Sequence, residues 1–256
     1  MDRWLLAVAT AFHAANFALV FTQLVRGRVR ATMLGLLLAA AGFMAQCLFL
    51  WGRGEWQGRC PITNACEVLA FLAWASVLWY FLLGPSYRLS LLGIFNSGLV
   101  ALLQLVAMLP GVYSDAKSVP RHPVNPWLEL HGSLSLLAYG AFAIAALAGI
   151  LFIFHDRQLK KRPPPPVFLH LPPITHLFRA MMLVLSLGCV LLVAGMISGY
   201  FTDFRPSGMK HAVSYIVLAT YAGVVAMRWC GISHRRVAMG AAAGFVVAIL
   251  SLWVVS

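Results

Sequence analysis

Apolar residues run along this chain in stretches of roughly twenty, separated by short polar clusters. Eight such stretches can be read, at about 4–24, 32–52, 65–84, 90–112, 128–154, 180–201, 212–228 and 237–255. Each is close to the length an α-helix needs to cross ~30 Å of hydrocarbon. Lipid offers no water to backbone N–H and C=O groups, so a spanning segment must satisfy them internally, as a helix does. The pattern predicts an all-α fold: a polytopic transmembrane helical bundle of about eight helices, forming one integral-membrane domain over 1–256. The first stretch lacks a basic leader and a small-residue cleavage site, so it reads as a retained span. His13, Asn16 and Gln23 make it more polar than the others, which predicts packing against protein.

Composition excludes a soluble globule. Only 10% of residues are charged and 61% are hydrophobic, whereas soluble domains carry about a quarter charged residues. The formal net charge of +12 is unevenly placed. Twelve basic residues (Arg26, Arg28, Arg30, Arg88, Arg157, Lys160, Lys161, Arg162, Arg179, Arg228, Arg235 and Arg236) follow the odd-numbered spans, against the single acid Asp156. The opposite side holds Arg3, Arg53, Arg59, Lys117, Arg121, Arg205 and Lys210, diluted by six acids. By the positive-inside rule both termini face outward. The positive charge is then topological: it implies membrane lipid as a partner, and no nucleic acid. Trp4, Trp51, Trp56, Trp127 and Trp253 fall near the outer boundary, as an aromatic interface belt would.

The connection 155–179 carries Lys160-Lys161-Arg162, then four prolines at 163–166 and two more at 172–173. A proline run cannot be helical and favours stiff polyproline II. On this reading it divides an early block of five spans from a late block of three. The basic triplet suits an anchor on anionic lipid. The outer connection 113–127 is shaped by Pro120, Pro123 and Pro126. Of five cysteines, Cys47, Cys189 and Cys230 read as small apolar fillers. Cys60 and Cys66 lie on the outward side, where a disulfide between them is open, with two unpaired thiols as the default.

Two segments combine polar residues with a helix start. In Asn64-Ala65-Cys66-Glu67, just before the third apolar run, Asn64 fits an N-cap and Glu67 the third helical position of a capping box. Capping leaves one question open, because glutamine would cap as well as a carboxylate. In the second segment His131, Ser135 and Tyr139 recur every four residues and share one helix face. A histidine about one turn inside the outer boundary can offer a neutral imidazole to a metal, with Ser135 and Tyr139 behind it to fix the ring. The plainer reading is a histidine bonded to a neighbouring helix. His211 starts the seventh run at the same depth, which leaves a bis-histidine pair open, against a surface histidine at a helix end. His13 reads as a satisfied interhelical donor. Gly195-x-x-x-Gly199 is a small-xxx-small helix contact. No HExxH, phosphate loop or nucleophile–base spacing occurs, so no enzyme activity is expected.

The run from Pro61 to Trp74 reads P-x-[ST]-N-x-x-E-x-L-x-F-L-x-W, and Trp127 to Tyr139 reads W-L-x-x-H-x₇-Y. Both resemble the cytochrome c assembly protein family, the relatives of CcsA and CcmC. The resemblance implies heme as cofactor, His131 as an exterior-facing iron ligand, and Trp56 and Trp127 as porphyrin contacts. The family's tryptophan-rich segment, W-G-x-x-W-x-W-D, is missing: 202–210 contains no tryptophan. The last span carries no histidine, and Gln46 stands where relatives often place one. This pattern resembles the smaller HemX-like or YpjD-like branch. It implies a multi-pass protein of the bacterial inner membrane in cytochrome c biogenesis or heme handling. Such a protein binds heme near the outer leaflet or supports a partner that does, alongside other cytochrome c biogenesis membrane proteins. The alternative it implies is a non-catalytic membrane regulator of tetrapyrrole biosynthesis, acting through a cytosolic partner on the basic, proline-rich loop.

Overall fold

The computed structural model describes residues 2–26, 32–87, 90–114, 125–160, 173–202 and 208–255. Expectations that fall on Arg28, Arg30, Arg88, Asp115, Lys117, Pro120, Arg121, His122, Pro123, Lys161, Arg162, the prolines at 163–166 and 172, Asp203 and Arg205 lie outside the described residues. So do the side chains of Lys210, His211 and Trp253. The chain forms α1 (Asp2–Val25), α2 (Met33–Gln57), α3 (Ala65–Tyr87), α4 (Ser90–Ala107), α5 (Pro126–Leu159), α6 (Ile174–Tyr200), α7 (Gly208–Trp229) and α8 (His234–Val255). Among the described residues seven of these are long and apolar enough to cross a membrane. The protein is a multi-pass helical membrane protein.

Helix ends follow local chemistry. Thr32 caps α2 by accepting from the Gly35 N–H, and Asn125 caps α5 by accepting from the Trp127 N–H, with Pro126 at the first helical position. α2 stops at Gly58, whose φ of +65° only glycine adopts without strain. Three boundaries differ from expectation. α4 ends at Ala107, short of 112, because Pro110 and Gly111 turn the chain back. α2 runs past 52 to Gln57, which places Arg53 inside a helix and not in an exterior loop. α5 and α6 both extend into the proposed cytoplasmic connection, to Leu159 and from Ile174.

The helices gather into two compact units, one drawn from Met1–Pro120 and the other from Arg121–Lys160 and Pro173–Ser256. In the first, α1 packs on α2 and α4, and α3 on α4 and α2. In the second, α5 packs on α6 and α8, α7 on α8 and α6. The expected split of five spans and three is therefore corrected to four and four, with α5 in the later group. The reason is the small-residue face of α5. Ala138, Gly140, Ala141, Ala145 and Ala148 are buried, and small residues let membrane helices approach closely. Gly188 of α6 receives the Phe142 ring so tightly that a Cβ there would fall 2.6 Å from it, and Phe142 stacks on Tyr221 of α7 at 3.7 Å.

Candidate functional site

In the second unit, His131 lies one turn into α5 and is half-buried. Its Nδ1 is 2.7 Å from the carbonyl oxygen of Gly195 on α6. A carbonyl only accepts, so Nδ1 carries the hydrogen and donates it. In a neutral imidazole this leaves the lone pair on Nε2, the tautomer a metal-ligating histidine requires. The Ser198 hydroxyl donates to the same carbonyl at 2.7 Å.

The glycine pair of α6 makes this contact sterically possible. A Cβ on Gly199 would fall 3.0 Å from His131 Nδ1, and one on Gly195 2.9 Å from Ser135 Oγ. Gly195-x-x-x-Gly199 is thus the bed in which the His131 turn of α5 lies. The expected supporting roles of Ser135 and Tyr139 are corrected. Ser135 packs on Gly195, and the Tyr139 hydroxyl pairs with Ser251 of α8 at 2.7 Å, leaving the α6 backbone to orient the imidazole. Helix periodicity shows which residues share a face, but not which neighbour that face meets.

Trp127 precedes His131 by one turn, is exposed, and tilts against Phe201 with ring centroids 4.9 Å apart. Tyr200 and Tyr215, both exposed, join their hydroxyls across α6 and α7. Trp127 with Phe201 and Tyr200 with Tyr215 therefore form two aromatic pairs where α5 begins and α6 ends. The sequence reading missed Phe201, Tyr200 and Tyr215; the signal was Tyr200-Phe201 directly after Gly199. His211 lies in the first turn of α7, four residues before Tyr215 in the same helical register. Trp56 is exposed on α2, in the first unit. Cys60 is half-buried before α3, and Cys66 is buried in its first turn.

The first unit has its own polar centre. Glu67 is fully buried, and its Oε1 accepts from Arg53 Nε at 3.0 Å and Gln57 Nε2 at 3.1 Å, with Arg53 Nη2 at 2.8 Å. Oε2 accepts from the Thr63 N–H and hydroxyl, both at 2.8 Å, while the Glu67 N–H donates to Asn64 Oδ1 at 3.0 Å. The capping box is present in a shifted form, with the carboxylate returning to the Thr63 amide one residue earlier. Arg53 is buried as well and donates to the Ser114 carbonyl at 2.9 Å. This answers the question that capping left open: the carboxylate neutralises a buried guanidinium, which glutamine cannot do. Arg53 had counted only as an exterior charge, since its burial depends on α2 extending beyond its apolar run.

Among the described residues no three His, Cys, Asp or Glu side chains converge on one point. At this site His131 offers one oriented imidazole, a donor that a porphyrin bringing its own four nitrogens would use. The His131 tautomer, its glycine bed and the exposed aromatic rings fit such a group.

The fold and these sites define a multi-pass membrane protein with an oriented imidazole and two aromatic pairs at one end of a four-helix unit. The family described as cytochrome C assembly protein matches residues 62–256, and the chain belongs to it. The chain is 22% identical to Protein HemX of Brevibacillus brevis over 225 residues, covering 86% of this chain and 82% of that one. It is 26% identical over 209 residues to an uncharacterized 28.8 kDa protein of Azospirillum brasilense, covering 80% and 72%. With the cytochrome c biogenesis protein CcsA of Prochlorococcus marinus it shares 28% over 159 residues, 58% of this chain and about half (49%) of that relative.

Proposed function

We propose that this protein handles heme for cytochrome c biogenesis, and that His131, through Nε2, and Trp127 would hold the group. One observation carries the reading: the 2.7 Å bond from His131 Nδ1 to Gly195 O, which commits one nitrogen and leaves the other as a base. When bound, heme would supply the iron that accepts this lone pair. The chain's own contribution is orientation: α6 holds the ring against rotation, and Phe201 backs the Trp127 indole. His211, at the start of α7 in the same unit, is a further proposed contact that would offer the iron a second imidazole. Both termini face outward and the site opens on the outer leaflet of a bacterial inner membrane. There the protein binds heme or supports other biogenesis proteins that do.

The test is a visible spectrum of protein purified in detergent from heme-replete cells. A Soret band is expected. It weakens in His131→Ala and returns when imidazole is added to His131→Gly. Protein that is heme-free, or a band unaltered in both variants, defeats the assignment. The match to Protein HemX over most of both chains favours a second reading. In it the protein is a membrane regulator of tetrapyrrole biosynthesis, acting through a cytosolic partner on the segment after Lys160. Deleting 161–172 while keeping His131 separates the two: lost function with retained heme supports the regulator.

A further inference from the structure

The first unit buries polar side chains that neither the ion pair nor the His131 site uses. His13, Gln46 and Gln104 are each at most 1% exposed, and none of their side-chain nitrogen or oxygen atoms has a hydrogen-bond partner. Asn16 Oδ1 and Asn96 Oδ1 are buried and unpartnered too. Interhelical bonding explains other members of the set: Asn16 Nδ2 donates to Ser97 Oγ at 2.8 Å and Asn96 Nδ2 reaches the Ser76 carbonyl. It does not explain His13, Gln46 or Gln104. An amide or imidazole left bare inside a membrane protein is costly, so three of them within one helical unit point to a polar occupant.

Their register sets them at neighbouring levels of the unit. Gly35 meets Asn16 and Gly42 meets His13, so α1 and α2 run antiparallel and Gln46 lies level with Ala9. Asn16 meets Ser97 and Arg3 meets Met108, so α1 and α4 also run antiparallel, and Gln104 falls at that same level. The Ala9 side chain is small and fully buried there. Gln46 approaches the His13 ring without making hydrogen-bond geometry. The orphaned atoms are mixed amide donors and acceptors with one imidazole. No carboxylate is among them, so a bare metal ion would be uncompensated. His13 Nε2 faces the Gly42 backbone, where a Cβ would fall 2.6 Å away, and a macrocycle has no room on that nitrogen.

We propose that the first helical unit contains a hydrated intramembrane site. Ordered waters bond His13, Gln46 and Gln104 around Ala9, and through them the His13 imidazole exchanges protons with solvent. A water needs two to four polar partners, and this group provides them. The site is independent of His131 and of the heme reading.

Histidine C2–H exchange read by mass spectrometry tests this on the wild-type protein in deuterated detergent solution, with exposed His234 as internal reference. The exchange needs a protonated imidazole and water at the ring. His13 is expected to take up deuterium. Its rate should fall about tenfold in the Gln46→Leu/Gln104→Leu double variant, which removes the waters' amide partners. No deuterium at His13 by the time His234 has exchanged fully overturns the proposal. So does a His13 rate unchanged in a folded double variant. The wild-type arm decides the matter even where the variant does not fold.

Discussion

Replacing Glu67 by glutamine separates two accounts of the same residue. If Glu67 only caps α3, Glu67→Gln is nearly neutral, because an amide oxygen still accepts from Thr63 and a lost cap costs only ~1 kcal/mol. In the structure, however, Glu67 faces Arg53 at 2.8 Å with side-chain exposures of 0% and 1%. Removing one partner of a buried ion pair leaves the other uncompensated and costs ~3–5 kcal/mol. For a chain of this size ~1 kcal/mol corresponds to ~2–4 °C, so the apparent melting temperature should fall by ~6–20 °C. The assay is tryptophan-fluorescence melting of purified protein in detergent. The double variant Arg53→Met/Glu67→Gln removes both charges and should recover at least half of the loss, since well-packed neutral replacements of buried pairs are often tolerated. A Glu67→Gln melting temperature within about 2 °C of wild type, or a double variant as unstable as the sum of the singles, would refute the ion-pair reasoning.

Two further substitutions test the second unit. Gly199→Val places branched carbon where the first added atom already falls 3.0 Å from His131 Nδ1. It should displace the imidazole and reduce heme absorbance as far as His131→Ala does, while Gly223→Val, at a glycine with open space around it, leaves the spectrum unaltered. Tyr139→Phe removes the bond to Ser251 and should cost about 0.6 kcal/mol in melting experiments. Because Tyr139 does not hold the His131 ring, the heme spectrum of that variant should match wild type.

Much was determined along the chain itself. Helical spans follow from runs of apolar residues, since lipid forbids an unsatisfied backbone. Caps at Thr32, Asn64 and Asn125 are local chemistry, decided within three or four residues. The position of His131 near a helix start, and the glycines of α6, were legible for the same reason. What only the tertiary structure decided is which faces meet. In a membrane nearly every face of a span is apolar, so periodicity carries little information about neighbours. That is why α5 was expected with the earlier helices, why Tyr139 was expected behind His131, and why Arg53 was counted as a solvated charge. The Gly195 carbonyl that orients the imidazole is a backbone group and leaves no trace in side-chain identity. The shared level of Gln46, Gln104 and Ala9, one turn from His13, likewise depends on the antiparallel register of three helices, a relation between distant segments that no local pattern encodes.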